Sequence, residues 1–256
     1  MSIVLDRHEL LWVLEQCDAS WPYPLRPVHW SAETDAEIRR HRTATEQALR
    51  TRGLLEPGPA RLLLDVGTAV AGWVLAVDLV RRDAGDPRAA VALTDGRIGA
   101  VLDSPEHAGA PVRVAPCAPD GIAEAVFALV PPVPPGSGPA VPVPAGTLPA
   151  DLPATQRASR ARDAADDLLA TVTAVSQVGV AERPARADAR RVAAPLCWLD
   201  GPRGRHVLRL PPGAPAPGAP ARPPLLVPAT GGQLLGEVRT VLSDAAVPRP
   251  PGRSSA

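Results

Sequence analysis

The sequence predicts an α+β fold with one central, mostly antiparallel β-sheet whose two halves are related by a quasi-two-fold axis. Three observations carry this expectation. Strand-like runs follow one another through short turns instead of alternating with helices, and hairpin-linked strands pair antiparallel. The same order recurs in each half of the 256-residue chain: strand, long helix, several strands, final helix. The repetition also reaches single residues. Leu93-Thr94-Asp95-Gly96 is echoed by Trp198-Leu199-Asp200-Gly201. Ile122, Ala123, Val126, Leu129 and Val130 in the first final helix have the spacing of Leu234, Leu235, Val238, Val241 and Leu242 in the second. A short strand and a proline, Pro116 or Pro228, precede each. The quasi-repeats cover about 28–130 and 140–245, within a single domain spanning 1–245.

The elements follow in order. Asp6 caps a helix from Arg7 to Cys17, with Glu9 three residues on as its capping-box partner. Leu10, Val13, Leu14 and Cys17 give that helix one apolar face. A Pro-rich turn, Trp21 to Pro27, breaks it, and Val28 to Trp30 reads as a short strand. A second helix runs from Ser31 to about Gly53, with Glu33, Asp35 and Glu37 where the helix dipole favours acids. A third helical piece covers Ala60 to Val66, and Trp73 to Arg81 is a β-rich run. Ala90–Thr94 and Arg97–Asp103 form a hairpin about Asp95-Gly96, whose turn wants positive φ at both central residues. Val112–Ala115 is a strand and Pro119–Val130 a helix. Residues 131–149 form a semi-rigid Pro-rich connector with one strand at Ala140–Val143. A long helix follows at Ala158–Val175, then strands at Gln177–Glu182, Ala194–Leu199, Arg205–Leu210 and Leu225–Val227, a Pro-Gly-Ala loop at Pro211–Pro224, the last helix at Gly232–Ser243, and a disordered tail at 246–256.

Composition narrows the function. The chain carries 27 basic and 27 acidic residues, the basic ones all Arg, and 45% apolar residues. A neutral chain lacks the basic field that nucleic acid or an anionic membrane requires, so neither is an expected partner. Cys17, Cys117 and Cys197 are odd in number and far apart, which fits a reducing compartment. Charges interrupt the N-terminus too early for a signal peptide, and the longest apolar run, Val66 to Val77, is too short to cross a bilayer. The chain reads as cytoplasmic.

Reactive chemistry is not written in the sequence. His8-Glu9-Leu10-Leu11-Trp12 begins like a zinc-binding helix but has Trp where the second imidazole is needed. Gly67 to Gly72 has the glycine spacing of a phosphate loop, but Trp73 replaces the lysine. Asp163, Asp166 and Asp167 share a helical face that could hold a cation, yet Arg160 and Arg162 pair with them at helical spacing. His206 lies on the Leu208 and Leu210 side of its strand, where a lone histidine is a core or rim residue. The five tryptophans read mainly as core anchors. No catalytic, metal or cofactor site is expected, and the chain reads as a non-enzyme.

The second half carries a recognisable string. Ser176-Gln177-Val178-Gly179-Val180-Ala181-Glu182-Arg183 precedes an Arg-rich loop, Arg183 to Arg191, and then Ala194-Pro195-Leu196-Cys197-Trp198-Leu199-Asp200-Gly201-Pro202-Arg203-Gly204-Arg205-His206. Together with the N-terminal helix, Leu25-Arg26-Pro27-Val28, Ala48 to Leu55 and the Val130 to Gly136 connector, this resembles the EspG family of ESX (type VII) secretion-associated proteins of actinobacteria. Val178 stands where that family commonly has Phe, Ser176 where it has Gly, and His206 where it has an aromatic ring.

The resemblance implies an antiparallel sheet flanked by two helical bundles. It also implies a chaperone that grips the helical tip of the PPE subunit in a PE–PPE heterodimer, with no cofactor. Family contacts come from the sheet face, the loop between the second and third strands, and the C-terminal bundle. Carried onto this chain, they point to Asp83, Asp86 and Arg88 in the loop and Gln233, Glu237 and Arg239 on the last helix. A homodimer stays open. Two rival readings remain: an adaptor for another helical client, and a small-molecule site or enzyme gathering His206 and Asp200 in a deep pocket.

Overall fold

The computed structural model describes residues 1–85, 87–107, 109–143, 165–184, 188–211 and 223–246. Asp86, Asp163, the start of the expected helix 158–175 (158–164), the end of the connector, most of the Pro211–Pro224 loop and the tail beyond Ala246 lie outside the described residues.

A short strand, β1 (Ile3–Leu5), opens the chain. Three helices follow: α1 (Arg7–Gln16), α2 (Asp35–Thr51) and α3 (Pro57–Gly72). The Asp6 carboxylate accepts from the Glu9 amide at 2.8 Å while Glu9 accepts from the Asp6 amide at 2.9 Å, so the expected capping box is formed. Thr34 and Glu37 build the same box on α2, which starts later than Ser31. Gly67 to Gly72 lies inside α3, where the backbone amides are spent on the helix ladder and cannot cradle a phosphate. Val28–Trp30 is not a strand. Trp30 instead stacks on His8 and donates its indole N–H to Glu15, filling the α1–α2 junction. The first half's outer strand is β1.

The sheet is a long antiparallel meander. The first half supplies β2 (Leu75–Asp83), β3 (Arg88–Thr94), β4 (Gly99–Pro105) and β5 (Val112–Cys117), closed by α4 (Ile122–Phe127). After β6 (Val141–Pro142), the second half has helical residues 165–169 and then β7 (Ala174–Glu182), so the expected helix stops short of Val175. A two-residue β8 (Arg190–Arg191), β9 (Leu196–Gly201), β10 (Gly204–Arg209), β11 (Leu225–Pro228) and α5 (Gly231–Ala246) complete the chain.

The strand order is β1-β5-β4-β3-β2-β7-β9-β10-β11-β6, with β8 on the free end of β7. Read outward from the β2–β7 seam, both halves give the same succession: three further meander strands, then the short strand that opened that half. The seam pairs β2 and β7 along their lengths, from Leu75↔Glu182 to Asp83↔Ala174, centred on Leu79↔Val178. The β3–β4 turn departs from expectation. Only Gly96 has positive φ, at 92°, and the Asp95 carboxylate accepts from the Arg97 and Ile98 amides, each at 2.7 Å. An Asx-type turn over four residues does the work assigned to a two-residue one.

Each face of the sheet is buried over part of its area. On one face, Leu10, Val13 and Leu14 of α1, Leu49 of α2 and Leu62, Val66 and Val70 of α3 pack on Ile3, Leu5, Ala76, Val91, Leu93, Leu102, Val112 and Val114. On the other, Ile122 and Val126 of α4 and Leu234 and Val238 of α5 pack on Val77, Leu79, Ala90, Val178, Val180, Trp198 and Val207. Alternation along each strand sends successive residues to opposite faces, which is why both sets read as near-continuous apolar runs. No helix among the described residues is long and apolar enough to cross a membrane.

Candidate partner-binding surface

Along the β2–β7 seam the α1–α3 face is left open. Ala76, Asp78, Val80 and Arg82 of β2 share that face with Val175, Gln177, Gly179 and Ala181 of β7, as the Ala76 packing and the period of two require. Exposure rises toward the hairpin end: Asp78 and Gly179 are buried, Val80 and Gln177 half-buried, Val175 is 44% exposed and Arg82 exposed. Among the described residues no helix covers this strip.

At one end the strip deepens into a groove of about 460 Å³ between the turn after α1 and β8. Its floor is Ala76, Val91, Leu93 and Ala181, and Tyr23, Trp73, Arg190 and Arg191 form its walls. A charged pair crosses the floor. Arg191 donates through both terminal nitrogens to Asp78, one contact at 3.0 Å, and its guanidinium lies 5.3 Å from the Tyr23 ring centroid. Burial pushes the Asp78 carboxyl up, against the opposing pull of Arg191; the bond to Asp78 holds the Arg191 guanidinium above its usual range. Gly179, opposite Asp78, leaves room for this arrangement: a Cβ there would collide with the Arg191 guanidinium. Behind Trp73, Arg183 stacks 5.0 Å from the indole and donates to the Ala71 and Trp73 carbonyls, closing the C-terminus of α3.

The β2–β3 hairpin stands at the other end of the strip. Asp83 accepts from the Gly85 amide at 3.1 Å and pairs with Arg81 at 3.2 Å. That amide bond, reinforced by Arg81, holds the Asp83 carboxyl below the usual carboxylate range. Arg88 pairs with Asp103 of β4 at 2.9 Å. The structure therefore brings Asp83 and Arg88 to one hairpin end.

The three residues expected on the last helix lie on α5, across the sheet from the open strip; strand alternation from Leu79 and Ala90 sends Asp83 and Arg88 to that α5 side as well, where they pair with Arg81 and Asp103. Gln233 completes a capping box with Thr230, Glu237 pairs with Arg209 of β10, and Arg239 pairs with Glu124 of α4. All three fasten α5 to its surroundings, although Glu237 and Arg239 keep 38% and 58% of their side chains exposed.

His206 and Asp200 do not converge either. Strand alternation sends them to opposite faces. Asp200 is 2% exposed and accepts from Arg205 Nε at 2.7 Å and from Arg81 Nη1 at 2.7 Å, while the His206 ring is buried against Gly136. Asp166 and Asp167 are exposed, and no cluster of metal-ligating side chains occurs among the described residues. The groove was missed from sequence. Its only signals were an acid, Asp78, at the end of an apolar run and the arginines of the loop after β7.

The curated proteins contain no match. Among solved structures, one similar chain belongs to the Mycobacterium tuberculosis type VII secretion system chaperone EspG5 in complex with a PE25–PPE41 dimer. The likeness has a TM-score of 0.60 at 15% identity and covers 99% of this chain and 98% of that one, so the fold is shared from end to end. The sequence model of the EspG family matches residues 5–240, which takes in every named element from α1 to β11 and most of α5, and the chain belongs to the EspG family.

Proposed function

We propose that this chain is a cytoplasmic chaperone that holds a PE–PPE-type heterodimer by its PPE subunit and keeps it soluble for type VII secretion. The observation that carries the reading is the family match over residues 5–240, joined to the shared fold of a chaperone solved with a PE25–PPE41 dimer. The physical case is one of surface. A helical tip that exposes apolar side chains self-associates unless covered, and the seam strip is an open, partly apolar face of suitable breadth. The chain acts by holding rather than by catalysis. Its buried acids Asp78 and Asp200 are each tied in ion pairs to arginines. Asp83 and Arg88 form the charged rim at the hairpin end. Glu237 and Arg239, already paired within the chain, are secondary contacts.

Co-expression with each PE–PPE pair of the source genome tests this. One pair is expected to co-elute with the chain in a stable, stoichiometric complex on size exclusion and to precipitate without it. Failure of every pair to co-purify would overturn the reading.

A further inference from the structure

The groove at the closed end of the seam has a chemistry that the family reading does not specify. Its interior is apolar, and its volume of about 460 Å³ admits roughly one or two side chains, not a helix. Its charges are layered. The Asp78 carboxylate lies deepest, its side chain 5% exposed. The Arg191 guanidinium lies above it, its side chain 37% exposed. An incoming ligand therefore meets a cation and the Tyr23 ring, itself 63% exposed, before it meets the acid. Arg190 sits opposite Glu182 and in step with Val192 of the α4–α5 core, so its guanidinium pairs with Glu182 on the other face of the sheet.

We infer that the groove is a subsite for one apolar side chain of the client's helical tip, flanked there by an acidic residue that meets Arg191. This rests on the chaperone reading and adds to it where the tip seats and what chemistry the tip carries. Two features fit. Arg191 is held in place before any partner arrives, by Asp78 beneath it, Tyr23 beside it and the missing Cβ of Gly179, so little ordering is left for binding. The groove and the hairpin end are also in reach of one ligand. Asp78 and Arg82, which share the open face, are four residues apart on β2, about 13 Å at strand rise. Two packed helices, each about 10 Å across, span that distance.

The test uses the full chain with benzoylphenylalanine at position 23, co-expressed with the PE–PPE pair that co-purifies. Irradiation is expected to give an adduct with the PPE-type subunit, at an apolar residue within a turn of an Asp or Glu. The same label at Leu64, exposed on α3 away from the groove, is expected to give none. Arg191→Gln removes the charge at the groove. It is expected to weaken the complex about tenfold near 0.05 M salt, with the difference shrinking toward 0.5 M, while Arg190→Glu, on the other face of the sheet, is expected to bind as the parent does. An intact complex with no adduct at position 23, an adduct joining two copies of this chain, or Arg191→Gln binding as tightly as the parent would each overturn the subsite and leave the chaperone reading standing. If no PE–PPE pair binds at all, the chaperone reading fails and the subsite falls with it.

Discussion

Gly179 and Cys117 show how single positions are governed by what lies next to them in space. At 179 the missing Cβ is what lets a guanidinium lie flat across the middle of a sheet. At 117, on the last meander strand of the first half, burial alone acts on the thiol and pushes its pKa up to about 11. The thiolate is the reactive form, so almost none is present at neutral pH, and the same direction holds for Cys17 and Cys197. In a thiol titration of the folded protein at pH 8, Cys117 is expected to stay unmodified while unfolding in denaturant releases it. Modification of Cys117 in the native protein at the rate of a free thiol would contradict the burial seen here. Some residue-scale features were readable in advance because they are local. Asp6 and Glu9 form their capping box three residues apart. Arg191 and Asp78 lie 113 residues apart, and nothing in a single sequence brings them together until the seam register is known.

Elements were legible where their periodicity was long, and not where they were short. α5 was predicted from Leu234, Leu235, Val238, Val241 and Leu242, and that stripe packs on the sheet as its spacing requires. β1 and β8, three and two residues long, escaped because too few residues display a period, whereas the equally short β6 was found from its place in the Pro-rich connector. The Val28–Trp30 strand was a false reading of the same kind, since a β-branched residue and an aromatic say little without alternation. The α5 stripe also sets apart what holds the helix from what decorates it. Leu234 is fully buried, so Leu234→Ala is expected to cost about 3 kcal/mol through lost transfer energy and the cavity left behind. Glu237→Ala breaks a pair whose partners are both more than a third exposed and is expected to cost under about 1 kcal/mol. Chemical denaturation of the two variants measures both. Equal losses would mean that α5 is fastened by charge rather than by its apolar face.

Across the whole molecule, the question is what fastens the two halves to each other. Backbone pairing between β2 and β7 is one tie, and the apolar core around Leu79 and Val178 is a second. The third is polar. Asp200, from the second half, accepts from Arg81 of the first half at 2.7 Å and from Arg205 of its own hairpin at 2.7 and 3.0 Å, while Ser176 accepts from Arg81 at 3.1 Å. The guanidinium of Arg205 also stacks 5.5 Å from the Trp198 ring. All of these side chains lie under the α4–α5 layer, and Arg81 and Arg205 are 6% and 2% exposed. Asp200→Ala would leave two buried guanidiniums without their common carboxylate. Asp83, the remaining acid on Arg81, is a third exposed and a weaker partner. The expected cost is about 3–5 kcal/mol, a fall of about 10 °C in Tm for a chain of this size. Replacing all three groups together, as Arg81→Met, Asp200→Leu and Arg205→Met, removes the stranded charges and is expected to recover most of that loss. Hydrogen exchange separates a tie between halves from a local one. Because Arg81 sits on β2 and Arg205 on β10, protection in Asp200→Ala is expected to fall in both halves at once, and loss confined to β9 and β10 would show that the network serves only its own hairpin.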